Sequence, residues 1–105
     1  MVMIVVTLIG SSKQRATFDL VNEKLTRLGY LVFSLGVWDA PDKEAIRSLL
    51  ESVHKGKMRL SDCIAVIHKE DGSIGEHAQE ELEYAKKLGK AILHYNSVGE
   101  WCGVG

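Results

Sequence analysis

The chain has 105 residues, 46% of them hydrophobic and 26% charged, with a formal net charge of −1. That length suits one domain with a modest core, residues 1–105, and a near-neutral balance without a basic block argues against nucleic-acid binding by bulk electrostatics. Its two cysteines, Cys63 and Cys102, show neither metal-ligand spacing nor a disulfide framework, which fits a reduced, cytoplasmic setting.

The first residues, 1–9, have the length of a signal-peptide apolar core but lack a basic leader, and an amphipathic helix follows instead of a mature start. Residues 3–9 read as a buried first strand, apolar on both faces. No stretch reaches the roughly 20 apolar residues of a membrane span. Gly10, Ser11 and Ser12 turn the chain, and either serine can cap the helix expected over 13–28. Phe18, Val21, Leu25 and Leu28 form its apolar stripe, and Gly29 suits the residue after its last turn. A second strand is expected over 30–35.

After a loop ending at Pro41, a second helix is expected over 42–60, lined by Ile46, Leu50 and Val53 and weakened at Gly56. The third strand is expected over 63–68, the third helix over 75–88 and the fourth strand over 91–95. The tail, 96–105, carries Trp101 and no pattern that assigns it. This alternation predicts an α/β fold, a doubly wound, flavodoxin- or Rossmann-like parallel sheet of four to five strands with helices on both faces. With the first strand central, the expected order is 2-1-3-4.

The switch point of such a sheet lies between strands 1 and 3. Their carboxyl ends carry Gly10-Ser11-Ser12 and Gly72-Ser73-Ile74-Gly75, two loops of the kind that hold small anionic ligands, facing one crevice. The first loop has neither a dinucleotide fingerprint nor a phosphate-loop lysine. Its serines serve as ordinary helix caps or as ligands to a phosphate or carboxylate, and spacing alone does not choose.

Along the third helix, Ala78, Leu82, Ala85 and Gly89 share one stripe, while Glu76, Glu80 and Glu83 point away. Glu81 falls on the flank of the stripe, near Ala85 and Leu88. Geometry leaves two readings: an edge carboxylate reaching for water, or a carboxylate held for chemistry beside a glycine loop. His77 and Glu81 are spaced i, i+4, but no third ligand has metal spacing, so no metal and no cofactor are expected. His54, beside Leu50 and Val53, reads as a semi-buried structural histidine. Asp62 reads as a turn or cap residue. Ser11, Ser12 and Ser73 lack a paired base, so a serine triad has no support.

Taken together, Ile9-Gly10-Ser11, Leu28-Gly29-Tyr30-Leu31-Val32, the run from His54 to Asp62, Gly72-Ser73-Ile74-Gly75 with Glu81, and Tyr84-Ala85-Lys86-Lys87-Leu88-Gly89-Lys90 resemble the nucleoside 2-deoxyribosyltransferase superfamily, which includes 2′-deoxynucleoside 5′-monophosphate N-glycosidases. The resemblance covers roughly residues 3–95 and rests on the order and spacing of short pieces. It implies that Glu81 is the nucleophile that attacks the anomeric carbon, as in retaining glycoside cleavage. It implies that Gly10, Ser11 and Ser12 meet the sugar or its 5′-phosphate, and that Ser73 and Gly75 close over the sugar. Two departures stand out. His54 occupies a position where active members carry an acid that handles the leaving base, though a histidine can move a proton near neutral pH. The chain is also short where relatives have a C-terminal segment that completes a neighbour's pocket. Assembly as a homodimer or higher homo-oligomer is implied by the resemblance alone. Two functions follow as expectations: cleavage or transfer at the N-glycosidic bond of a (deoxy)nucleoside or its 5′-monophosphate, or a non-catalytic nucleotide-binding module on the same fold.

Overall fold

The computed structural model describes residues 2–105; Met1, the first residue of the expected domain, lies outside the described residues. Eight regular elements follow one another: β1 (Val5–Ile9), α1 (Arg15–Arg27), β2 (Leu31–Phe33), α2 (Arg47–Leu60), β3 (Cys63–Ile67), α3 (Glu76–Lys87), β4 (Ala91–Tyr95) and β5 (Trp101–Val104). They build one five-stranded sheet in the order β2-β1-β3-β4-β5. The first four strands are parallel, and β5 runs antiparallel to β4 with an irregular register at His94 and Tyr95. The order 2-1-3-4 expected from the alternation is therefore present, and the unassigned tail supplies an antiparallel edge.

Side chains alternate across the pleat, so each central strand feeds two cores. Val6, Leu8, Ala65 and Ile67 face α1 and pack with its Phe18, Val21 and Leu25. Ile9, Ile64, Val66 and Ile92 face the other way and pack with Met58 of α2 and with Leu82 and Ala85 of α3. Every residue of β3 is buried, as expected of a parallel strand covered on both faces.

Helices α1 and α3 stop in the same way. After each last turn a leucine is followed by a glycine in the left-handed region, Gly29 at φ +93° and Gly89 at φ +71°. The Gly29 and Gly89 amides bond back to the Thr26 and Lys86 carbonyls, and the next amides, Tyr30 and Lys90, reach the Leu25 and Ala85 carbonyls. This pairing satisfies carbonyls that a helix end leaves open and aims the chain into the next strand.

Three sequence expectations change. Leu28 sits beyond the last turn of α1 and is 73% exposed instead of joining its stripe. Residues 41–46 form turns, so α2 begins at Arg47. Val53 is 48% exposed, and the residues that α2 buries are His54 and Met58. The contact line of α2 with the sheet runs through His54, Met58 and the following Ser61, whose hydroxyl donates to the Lys57 carbonyl and pairs with buried Thr7 of β1. Polar anchoring at Thr7 and Ser61 thus sets the roll of α2, which an apolar count alone does not capture.

Candidate active site between α2 and α3

Glu81 stands in the second turn of α3, and His54 stands midway along α2. The two helices lie side by side on one face of the sheet, and this brings the side chains together: His54 Nε2 is 2.7 Å from Glu81 Oε2. The contact is close but off the axis of a ring N–H, so neither ring nitrogen of His54 has an aligned hydrogen-bond partner. His54 is 7% exposed, whereas a quarter of the Glu81 side chain meets solvent. A buried imidazole without aligned partners costs stability. The carboxylate beside it is half-buried and reaches an open cavity.

That cavity, of about 840 Å³, opens between the 40–44 turn, α2 and α3. Four cations (Lys43, Arg47, Lys55 and Lys87) and five glutamates, Glu81 among them, line it. Its wall is therefore of mixed charge and not a cationic cup. Tyr84, one turn after Glu81, forms part of the wall. Arg59 donates to its hydroxyl at 3.0 Å, and the Lys55 ammonium lies 5.5 Å over its ring. Arg47 bridges the helices by approaching His77 Nε2 at 3.4 Å. His77 is thereby engaged away from Glu81, and among the described residues no group of three or more His, Cys, Asp or Glu side chains gathers as a metal site.

None of Gly10, Ser11, Ser12, Ser73 and Gly75 lines the cavity that holds Glu81, although Gly75 leads into α3 two residues before His77 of its wall. Gly10 ends β1 where a side chain has no room: a Cβ would lie 3.1 Å from the Phe18 ring and 3.2 Å from the Ile67 carbonyl. Ser11 accepts from the Lys13 amide and caps the short 3-10 turn Ser12–Gln14, and Ser12 is exposed. In the second loop the Ser73 amide and hydroxyl both donate to Asp71, at 2.9 and 2.6 Å. These bonds, the hydroxyl's first, hold the Asp71 carboxyl below the usual carboxylate range. Gly75 is the residue from which α3 starts, with the Lys69 stem 3.4 Å from where its Cβ would be.

Sequence reasoning passed over two groups. Arg47, Glu51 and Lys55 recur at i, i+4, i+8 on the side of α2 turned toward α3, a charged row that lies outside the apolar stripe. At the ends of the adjacent strands β3 and β4, His68 Nε2 lies 2.8 Å from His94 Nδ1, and His68 Nδ1 lies 2.9 Å from the Gly72 carbonyl. Adjacent strands in the expected order already place these histidines together. Burial first, then His68 and Lys86, push the His94 imidazole below its ordinary value. Cys63 is buried in β3, and burial followed by Asp62 raises its thiol, which makes it a poor nucleophile. Asp62 caps the sheet, accepting from the Val5 amide at 2.8 Å.

No protein-family model and no curated protein matches the sequence. Among solved structures, a 2-deoxyribosyltransferase from the psychrotolerant bacterium Bacillus psychrosaccharolyticus superposes with a TM-score of 0.74. The match spans 94% of this chain and 77% of that one at 17% identity. The two chains share one fold. That relative is described as a biocatalyst for the synthesis of nucleosides. Among the described residues no helix is long and apolar enough to cross a membrane.

Proposed function

We propose that this protein is an enzyme that cleaves or transfers the N-glycosidic bond of a (deoxy)nucleoside or nucleoside 5′-monophosphate, with Glu81 as the nucleophile. The observation that carries the reading is the Glu81–His54 contact of 2.7 Å at the wall of an open cavity. The fold shared with a 2-deoxyribosyltransferase supports it.

In this reading His54 Nε2 fixes Glu81 Oε2 and leaves Oε1 free for the anomeric carbon. A lone pair of Oε1 forms the C–O bond as the C–N bond breaks, and its electrons leave with the base, which takes a proton at nitrogen. The transition state resembles an oxocarbenium ion, which an adjacent carboxylate stabilises. In this reading His54, buried behind Glu81 and not itself part of the cavity lining, supplies that proton and later recovers one. Water or a second base then attacks the same carbon, and the ester electrons return to Glu81. Two inversions give net retention. Tyr84, held by Arg59, offers a fixed ring beside the reacting centre. The mixed charge of the wall favours an uncharged nucleoside over its 5′-monophosphate. Ser11, Ser12, Ser73 and the glycines Gly10 and Gly75 belong to the sugar-binding part of the proposal.

A second reading, a nucleotide-binding module without catalysis, draws on the absence of both glycine loops from the lining of the cavity. One experiment separates the two. The protein is incubated with a panel of deoxynucleosides and their monophosphates, with and without a second base, and free base is followed by chromatography. The enzyme reading expects base release by the wild type and none by Glu81→Ala. Nucleotide binding without base release by the wild type refutes it and leaves the module.

A further inference from the structure

The charges around the cavity are sorted along its length. Helices α2 and α3 run side by side in one direction: Arg47 meets His77 near their amino ends, His54 meets Glu81 midway, and Arg59 meets Tyr84 near their carboxyl ends. Toward the amino ends the lining holds Glu44, Glu51 and Glu80 beside Glu81, and the cations there are already engaged. Arg47 lies 3.4 and 3.5 Å from Glu44 and Glu51, and Lys43 donates to the Trp38 carbonyl. Toward the carboxyl ends the balance reverses. Lys55 and Lys87 line the cavity, Arg59 reaches Tyr84 beside them, and none of the three is in an ion pair among the described residues. Glu83, the one acid lining this end, accepts from Gln79 and lies 3.9 Å from Lys86. Arg59 and Lys87 stand in the last turns of their helices, where the helix dipole favours a cation. Lys55 stands outside the last turn of α2, and its ammonium lies over the Tyr84 ring.

We infer that the Tyr84 end of the cavity takes the base of the substrate, and that Lys55 selects bases with a ring carbonyl over bases with an amino group in the same place. The inference rests on the N-glycosidic reading of the site and names the substrate class within it. Cleavage of the C–N bond separates charge. The sugar carbon becomes positive, and the electron pair of the bond passes to the base, where a ring carbonyl draws part of it onto oxygen. A wall that is acidic around Glu81 and basic around Tyr84 matches that separation and is in place before the reaction. Apart from His77 at the other end, Tyr84 is the only aromatic ring of the lining, and an aromatic face is what a flat base stacks on. Lys55 Nζ lies 5.5 Å from the ring centroid on an exposed side chain, within reach of the edge of a base laid there. An ammonium has three donors and no acceptor. It meets a carbonyl oxygen of uracil, thymine or hypoxanthine with a charge-assisted hydrogen bond, and the amino group of cytosine or adenine with donor against donor. Lys55 keeps its proton throughout, and the base nitrogen takes its proton from His54.

The test compares kcat/KM for base release from deoxyuridine against deoxycytidine, and from deoxyinosine against deoxyadenosine, in the wild type, Lys55→Met and Lys55→Arg. The wild type is expected to favour the carbonyl member of each pair. Bases differ in how readily they leave, and the change in each ratio between variants cancels that difference. Lys55→Met is expected to lower each ratio by about tenfold, which one charge-assisted hydrogen bond supplies, and Lys55→Arg to hold it. Lys55 is exposed, so both variants are expected to fold, and thermal melts check this. Ratios unmoved by Lys55→Met overturn the inference. Release of base from none of the nucleosides overturns the enzyme reading instead, and calorimetry with the free bases then decides on the base site. Hypoxanthine bound more tightly than adenine, with the preference lost in Lys55→Met, upholds it. Equal binding, tighter adenine or no binding of either overturns it.

Discussion

Helices α1 and α2 cover opposite faces of the same sheet and obey different rules. Helix α1 is conventionally amphipathic: Phe18, Val21 and Leu25 are buried, and Asp19, Glu23, Lys24 and Arg27 are exposed. Helix α2 departs from that pattern twice. It buries a histidine with no aligned partner, and it exposes three large apolar side chains. Both departures cost stability or solubility in an isolated chain, and α1 shows that the fold does not require them. The side of the sheet that departs from the rule also carries the cavity and Glu81.

Truncation in the two cores gives the largest expected contrast. Phe18→Ala removes a fully buried ring packed edge-on against Trp38 and is expected to cost about 3–5 kcal/mol. Chemical denaturation reads this directly, and a smaller loss would mean that α1 contributes less to the core than its burial indicates. His54→Leu is expected to do the opposite. Replacing a buried imidazole whose ring nitrogens lack an aligned hydrogen bond by an apolar group should raise stability by about 1 kcal/mol, while base release falls about 100-fold. If His54→Leu destabilises the protein and spares the reaction, His54 is a structural residue. A smaller effect still is expected at Val53: Val53→Glu should leave stability within about 0.5 kcal/mol, because the side chain already meets water.

Last comes the paired histidine at the ends of β3 and β4. The His94 imidazole is held below its ordinary value of 6.5 by burial, then by His68 and Lys86. The unfolded chain therefore takes up a proton in a pH window where the folded chain does not. Its contribution to stability is present above about pH 6.5 and is lost as pH falls below that value. Denaturation midpoints should fall as pH is lowered through this window in the wild type, and less so in His94→Gln. Equal pH dependence in the two would contradict the assignment.

Much of the fold is legible in the residues themselves. The buried runs of β1 and β3, the apolar stripes of α1 and α3 and the glycines after them fix the alternation, and the alternation fixes the central strand order. The tail is not legible, because β5 is a four-residue edge strand with two glycines nearby, paired only to β4. The roll of α2 is not legible either. It depends on Ser61 and Thr7, a polar contact across 54 residues that no local period reports. The site is half legible. Glu81 stands out by its place on the flank of the stripe, and His54 emerges as its neighbour only when α2 and α3 are packed side by side. The two glycine loops are recognisable as turns, but their serines spend hydrogen bonds on their own backbone and on Asp71.

The most direct test of the proposed role of Glu81 is the intact mass of protein quenched during turnover with a deoxynucleoside, followed by peptide mapping. The account predicts a deoxyribosyl adduct on the peptide that contains Glu81, absent in Glu81→Gln. Base release with no adduct on that peptide, or with an adduct on another residue, would contradict it.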